Sequence, residues 1–209
     1  MTRNQNQQQS GFTVVELLVV FLIMILLSSI VIVNWNRQRP LRNLIIAQNE
    51  LISNIRKVQS YAVSSRNLPD GGSARFYMLK FIRGQATYDI EAIDSANMLT
   101  ESPVETVNMP ADLSVSFLQL TNSAGIDVQY DCMYLVFSVV YGKTYFFTDN
   151  NCSSTDLVDA VKDPVRLAGL GDFDLTMSLQ NSKSNDVRSV RVDSQTGRVE
   201  TYTVTIVKQ

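Results

Sequence analysis

The sequence predicts an α+β fold: a long N-terminal helix, made of a membrane span and an amphipathic half, packed on an antiparallel β-sheet. Three observations predict it. An apolar run extends from Phe12 to Val33, apolar residues then recur at intervals of three or four as far as Ala62, and from Arg75 onward short β-type runs alternate with turn residues. The 209 residues, 45% hydrophobic and 18% charged, have a globular balance and suit one compact domain plus extras.

The net charge of −2 and a pI near 5.2 give no general affinity for nucleic acid or anionic lipid, so such a function would need a local patch. The chain has no histidine, which removes the commonest general acid/base and metal ligand. Gly142-Lys143-Thr144 lacks the glycine five positions earlier that a phosphate-binding loop needs, since Phe137 stands there, and reads as a hairpin turn.

The run from Phe12 to Val33 covers 22 residues. As a helix it would extend about 33 Å, enough to cross the hydrocarbon core. Its only charged residue is Glu16. An ionisable group there costs about 2.5–3.5 kcal/mol at the helix centre, so it marks a functional position. Three readings compete: a cleaved secretory signal, a plain single-pass anchor, and an anchor processed at its N-terminus. The absence of alanine between Gly11 and Ala47 argues against the first, because no small-x-small cleavage site follows the apolar region.

Gly11-Phe12-Thr13-Val14-Val15-Glu16, followed by Leu17-Leu18-Val19-Val20, resembles the processing site of type IV prepilins and of the related pseudopilins of type II secretion. The resemblance implies that a prepilin peptidase cuts after Gly11 on the cytoplasmic face and methylates the new amine of Phe12. It also implies that Glu16 serves assembly by meeting the terminal amine of a neighbouring subunit. The spacing fits on physical grounds: the new amine would stand four residues before Glu16, one helical turn away. The segments are then a leader over 1–11, a transmembrane helix over 12–33, an amphipathic continuation over 34–67 and a globular β domain over 68–209. The leader carries only Arg3, whereas Arg37, Arg39 and Arg42 follow the span. That asymmetry by itself favours a cytoplasmic C-terminal domain; the processing site requires the opposite orientation.

Beyond the span, Leu44, Ala47, Leu51, Ile55, Val58 and Ala62 form an apolar stripe at helical spacing. Pro40 should bend or loosen the helix between its halves. Leu68-Pro69-Asp70-Gly71-Gly72 reads as loop. Strands are predicted over 75–82, 85–93, 113–120, 133–141, 144–148, 173–179, 187–193 and 198–207, with hairpin turns at Arg83-Gly84, Gly142-Lys143 and 194–197. A long helix followed by such a sheet resembles the pilin fold. The run 51–62, the glycine loop and the terminal hairpin resemble minor pilins and H-type pseudopilins.

Cys132 and Cys152 are the only cysteines, each ten positions from Gly142. A hairpin centred there would bring them together at its open end. A disulfide closing this loop of about twenty residues would contribute roughly 3 kcal/mol by the chain-entropy model. Two unpaired buried thiols are the alternative. The acidic stretch from Asp149 through Asp156, Asp159 and Asp163 does not fit an EF-hand, because Ser154 replaces the glycine and Ala160 the final glutamate. Arg188, Arg191, Arg198 and Lys208 raise DNA contact, but Asp186, Asp193 and Glu200 dilute the patch.

The expected function is therefore that of a non-enzymatic structural subunit, a minor pilin or pseudopilin, polymerising through its N-terminal helix into a type IV pilus or secretion pseudopilus. Its expected partners are a prepilin peptidase, other pilin or pseudopilin subunits, the inner-membrane assembly platform and membrane lipid. Its expected location is the cytoplasmic membrane and then the fibre. No catalytic residue, metal, cofactor or small-molecule substrate is expected. The alternatives are a DNA-uptake or adhesive minor pilin and an unprocessed membrane-anchored domain.

Overall fold

A computed structural model describes residues 13–64, 67–68, 71–94, 103–122, 124–139, 143–148, 152 and 173–202, the side chains of 30–38 and 202 excepted. The helix α1 spans Val14–Val63. Strands follow at β1 (Ala74–Ile82), β2 (Thr87–Asp94), β3 (Glu105–Asn108), β4 (Leu113–Asn122), β5 (Asp127–Gln129), β6 (Cys132–Ser138), β7 (Thr144–Thr148), β8 (Phe173–Asn181), β9 (Val187–Asp193) and β10 (Val199–Tyr202). Pro40 lies inside α1, and the chain divides there into two compact units, Met1–Arg39 and Pro40–Gln209.

The second unit holds two five-stranded sheets, ordered β3-β2-β1-β6-β7 and β10-β9-β8-β4-β5. The β1–β2, β6–β7 and β9–β10 pairs are antiparallel and join strands that are neighbours in the chain. Two central pairings are remote in sequence: β1 with β6 and β4 with β8. The turn between β1 and β2 ties the sheets together. Gly84 adopts a φ of +82°, a region that glycine enters without steric cost. Its N–H donates to the carbonyl of Val115 at 2.7 Å, and the Val115 N–H donates to the carbonyl of Gln85 at 3.0 Å.

One core joins the helix to both sheets. The stripe Leu44, Ala47, Leu51, Ile55, Val58 and Ala62 is buried against Tyr77, Leu79, Ile90 and Leu135 of the first sheet and Val115, Leu118, Met177 and Val190 of the second. The longer strands β1, β2, β6, β8 and β9 contribute alternate residues to it, as the pleat requires. Polar contacts fix the helix on both sides. Gln48 donates to the Ser189 carbonyl at 2.7 Å, Asn54 donates to the Tyr88 hydroxyl at 2.7 Å, and Gln59 donates to the Gly197 carbonyl at 2.7 Å. Buried amides in such positions need these partners, since an unmet hydrogen-bonding group away from water costs about 1–3 kcal/mol.

The expected fold class is corrected in two respects. The described residues are mainly strand, in two separate sheets rather than one. Nor does the helix pack on a sheet along its whole length: the helical residues that enter the core begin at Leu44, within the second unit, while those of Val14–Leu27 stay exposed. The physical reason is the pairing of β4 with β8, which starts a second apolar sheet face where local signals suggest only another strand of the first. Two of the strands, β3 and β5, fall outside the predicted runs. Both are short edge strands with polar or exposed residues, so neither shows the apolar alternation of a half-buried strand.

The membrane span is corrected as well. Among the described residues no helix is long and apolar enough to cross a membrane.

Candidate assembly segment and cysteine cluster

The start of α1 is set by Thr13. Its hydroxyl oxygen accepts a hydrogen bond from the Glu16 N–H at 3.3 Å, while its carbonyl accepts from the Leu17 N–H at 3.2 Å. A threonine at this position meets one of the donors that a helix start leaves unpaired. Glu16 therefore stands in the first turn, where a negative charge suits the helix dipole. Gly11 and Phe12, the expected cleavage and methylation residues, lie outside the described residues.

Large apolar side chains from Val14 to Leu27 are between 46% and 80% exposed, and they point in every direction around the helix. A helix that is apolar all round is normally buried. At about 25 cal/mol per Å² of apolar surface, leaving this segment in water is costly, and a surface of this extent marks an interaction site. Glu16 is the one ionisable group in the segment from Val14 to Ser29.

Cys132 and Cys152 are brought together. Cys132 opens β6 and is fully buried; Cys152 is half-buried against the same small cluster, which includes Phe76, Met78, Ile93, Tyr134 and Val136. Both are free thiols in this structure. The Tyr134 hydroxyl donates to the Cys152 carbonyl at 3.3 Å. Burial, reinforced by the adjacent Cys152, pushes the Cys132 thiol up to about 12. Burial likewise raises the Tyr134 phenol, helped by Cys132 and Glu91. At neutral pH both groups stay protonated, so neither is a ready nucleophile.

Sequence reasoning missed the charged pair beside this cluster. Lys80 of β1 faces Tyr134 of β6 in register, and its ammonium lies 5.6 Å from the ring centroid. Its nitrogen is 4.0 Å from one carboxylate oxygen of Glu91 on β2, while the other oxygen is buried without a hydrogen-bond partner. Burial holds the Glu91 carboxyl above its ordinary range, opposed by Lys80. The signal was present in the sequence: Lys80 and Glu91 each interrupt an apolar strand, Met78-Leu79-Lys80-Phe81-Ile82 and Ile90-Glu91-Ala92-Ile93.

Two of the C-terminal cations are held in ion pairs. Arg191 pairs with Asp174, and Arg198 pairs with Glu200 at 2.8 Å. These four residues, with Asp193 and Thr196, line a cleft of about 300 Å³. Asp193 is held below the usual carboxylate range chiefly by the Thr196 backbone N–H, which it accepts at 2.7 Å. Lys208 and the acidic stretch Asp149–Asp163, apart from Cys152, lie outside the described residues. Among the described residues no group of three or more Cys, Asp or Glu is placed to hold a metal ion. Compared with protein-family models, curated proteins and solved structures, the chain shows no match.

Proposed function

We propose that this chain is a structural subunit, a minor pilin or pseudopilin, of a type IV pilus or a type II secretion pseudopilus. In this reading a prepilin peptidase cleaves after Gly11 and methylates Phe12. The mature chain waits in the cytoplasmic membrane with its β unit on the far side, then enters the fibre through its N-terminal helix.

What supports the reading is one observation: the segment Val14–Leu27 exposes apolar side chains all round, with a single carboxylate in its first turn. A surface of that kind suits burial among identical helices or lipid, and Glu16 suits pairing with a positive terminus in a low-dielectric setting. The test is the intact mass of the N-terminal peptide from native membranes and from sheared fibres. The expected result is a chain that begins with methylated Phe12. An intact 1–11 leader on fibre-associated protein would overturn the reading.

A further inference from the structure

The strand β5 leaves one edge of the second sheet open. It ends the order β10-β9-β8-β4-β5, and all three of its residues are exposed. Outside α1, Ile126 and Val128 are the exposed large apolar side chains among the described residues, at 59% and 44%. The other end strands bury theirs: Val107 of β3, Phe146 of β7 and Val199 of β10. Val128 stands opposite Leu120 of the core and so prolongs the apolar face to the rim of the sheet. The Ile126 carbonyl accepts from the Asn122 N–H at 3.1 Å, and the Tyr130 N–H donates to the Leu118 carbonyl at 2.9 Å. Backbone groups alternate in direction along an antiparallel strand, so Asp127 and Gln129 turn their N–H and C=O groups away from β4, toward the free edge. An edge of this kind is a template for a further strand.

We propose that β5 docks on β5 of a second copy of this chain, antiparallel and about a two-fold axis at Val128. In that register Asp127 of each copy faces Gln129 of the other, Val128 faces Val128, and Ile126 faces Tyr130. Charge selects the register. Sliding the strands by two residues, which keeps the same backbone groups facing, sets Asp127 against Asp127 in one direction and against Asp131, whose side chain is 68% exposed, in the other. Carboxylates directly opposite one another repel. In the proposed register the Asp127 carboxylate, which accepts from the Thr121 hydroxyl at 2.7 Å, meets a Gln129 amide that can donate to it. The pairing supplies about four backbone hydrogen bonds. It also covers Ile126 and Val128 on both copies. Strands this short bury less than the ~1,000 Å² of a stable interface, so the pair forms and separates readily. A two-fold contact closes on itself, so it pairs copies and does not extend a fibre. It goes beyond the polymerisation reading and does not depend on it.

The test traps the pair covalently in the purified full-length chain in detergent. Val128 would face its own copy across a non-hydrogen-bonded position, where Cα atoms lie about 4.5 Å apart, within disulfide range. Under mild oxidation Val128→Cys should give a disulfide-linked dimer, identified by the peptide joining the two introduced thiols. Its yield should be at least fivefold above that of Asn108→Cys, which is exposed on the end strand β3. Association through the apolar helix in detergent would raise both positions alike. Two further variants read the register. Adding Gln129→Asp to Val128→Cys sets a carboxylate opposite Asp127 and should lower the yield at least threefold, whereas adding Gln129→Lys should keep it within twofold or raise it. Thermal unfolding of each variant should match that of Val128→Cys alone. Equal yields at positions 128 and 108 overturn the docking edge, and equal yields for Gln129→Asp and Gln129→Lys overturn the register.

Discussion

The phenol of Tyr134 donates a hydrogen bond to the backbone carbonyl of Cys152, 3.3 Å away and eighteen positions later in the chain. Because Tyr134 sits two residues after Cys132 on the same strand face, this bond fixes Cys152 beside the buried Cys132 thiol. Oxidation by a disulfide reagent of the glutathione class is expected to join them, each thiol losing its proton and the reagent being reduced to two thiols. The bridged form should be more stable by about 3 kcal/mol, the chain-entropy value for a loop of this size. The check is thiol labelling in denaturant with and without prior oxidation. Labelling of both cysteines after oxidation would exclude the bridge.

Glu16→Ala makes the helix start more apolar and spares Gly11, so membrane association and cleavage should proceed. Incorporation into fibres should fall several-fold, because a buried positive partner then lacks its carboxylate. Glu16→Gln separates charge from shape. The measured quantity is the ratio of fibre-associated to membrane-retained mature protein; normal ratios for both variants would exclude an assembly role.

Glu91 gives a stability prediction with a definite sign. Its folded-state carboxyl is raised above the unfolded value, mainly by burial. The folded chain therefore binds the proton more tightly than the unfolded chain does. Below the unfolded pKa both states are protonated and no penalty exists; the penalty grows as pH rises and is complete above the folded pKa. Glu91→Gln should raise the melting temperature at pH 7 to 8 relative to wild type, and this gain should vanish near pH 3. A variant less stable than wild type at neutral pH would show that attraction to Lys80 outweighs burial.

Gly197 combines a φ of +64° with close neighbours: a Cβ there would lie 2.8 Å from the Thr144 Oγ1 and 3.1 Å from the Gln59 Nε2. Gly125, at φ +75°, has open space around the same position. Gly125→Ala should cost about 1–2 kcal/mol, the backbone term alone. Gly197→Ala should cost more, because it also displaces the Gln59 side chain that donates to the Gly197 carbonyl. Equal denaturation midpoints for the two variants would rule out a contribution from that contact.

Core truncation should separate the two faces of α1. Ile55 is fully buried, so Ile55→Ala is expected to cost about 2–5 kcal/mol. Ile46 is exposed, and Ile46→Ala should change folding stability by no more than about 0.5 kcal/mol. Urea unfolding of the full chain in detergent measures both.

Much of the second unit was legible in the sequence because the responsible signals are local. The stripe from Leu44 to Ala62 follows from the 3.6-residue period of a helix. The β1–β2, β6–β7 and β9–β10 hairpins follow from apolar alternation on either side of turn residues, and the closeness of Cys132 to Cys152 follows from the second of these. Tertiary structure alone decided that β4 pairs with β8 to open a second sheet, because pairing between distant strands depends on which apolar faces can be buried together and leaves no local mark. It alone assigned roles to β3 and β5, whose edge positions relax the need for an apolar pattern. It also placed Lys80, Glu91 and Tyr134 in one buried group, since strand register, not proximity in the chain, makes those side chains neighbours.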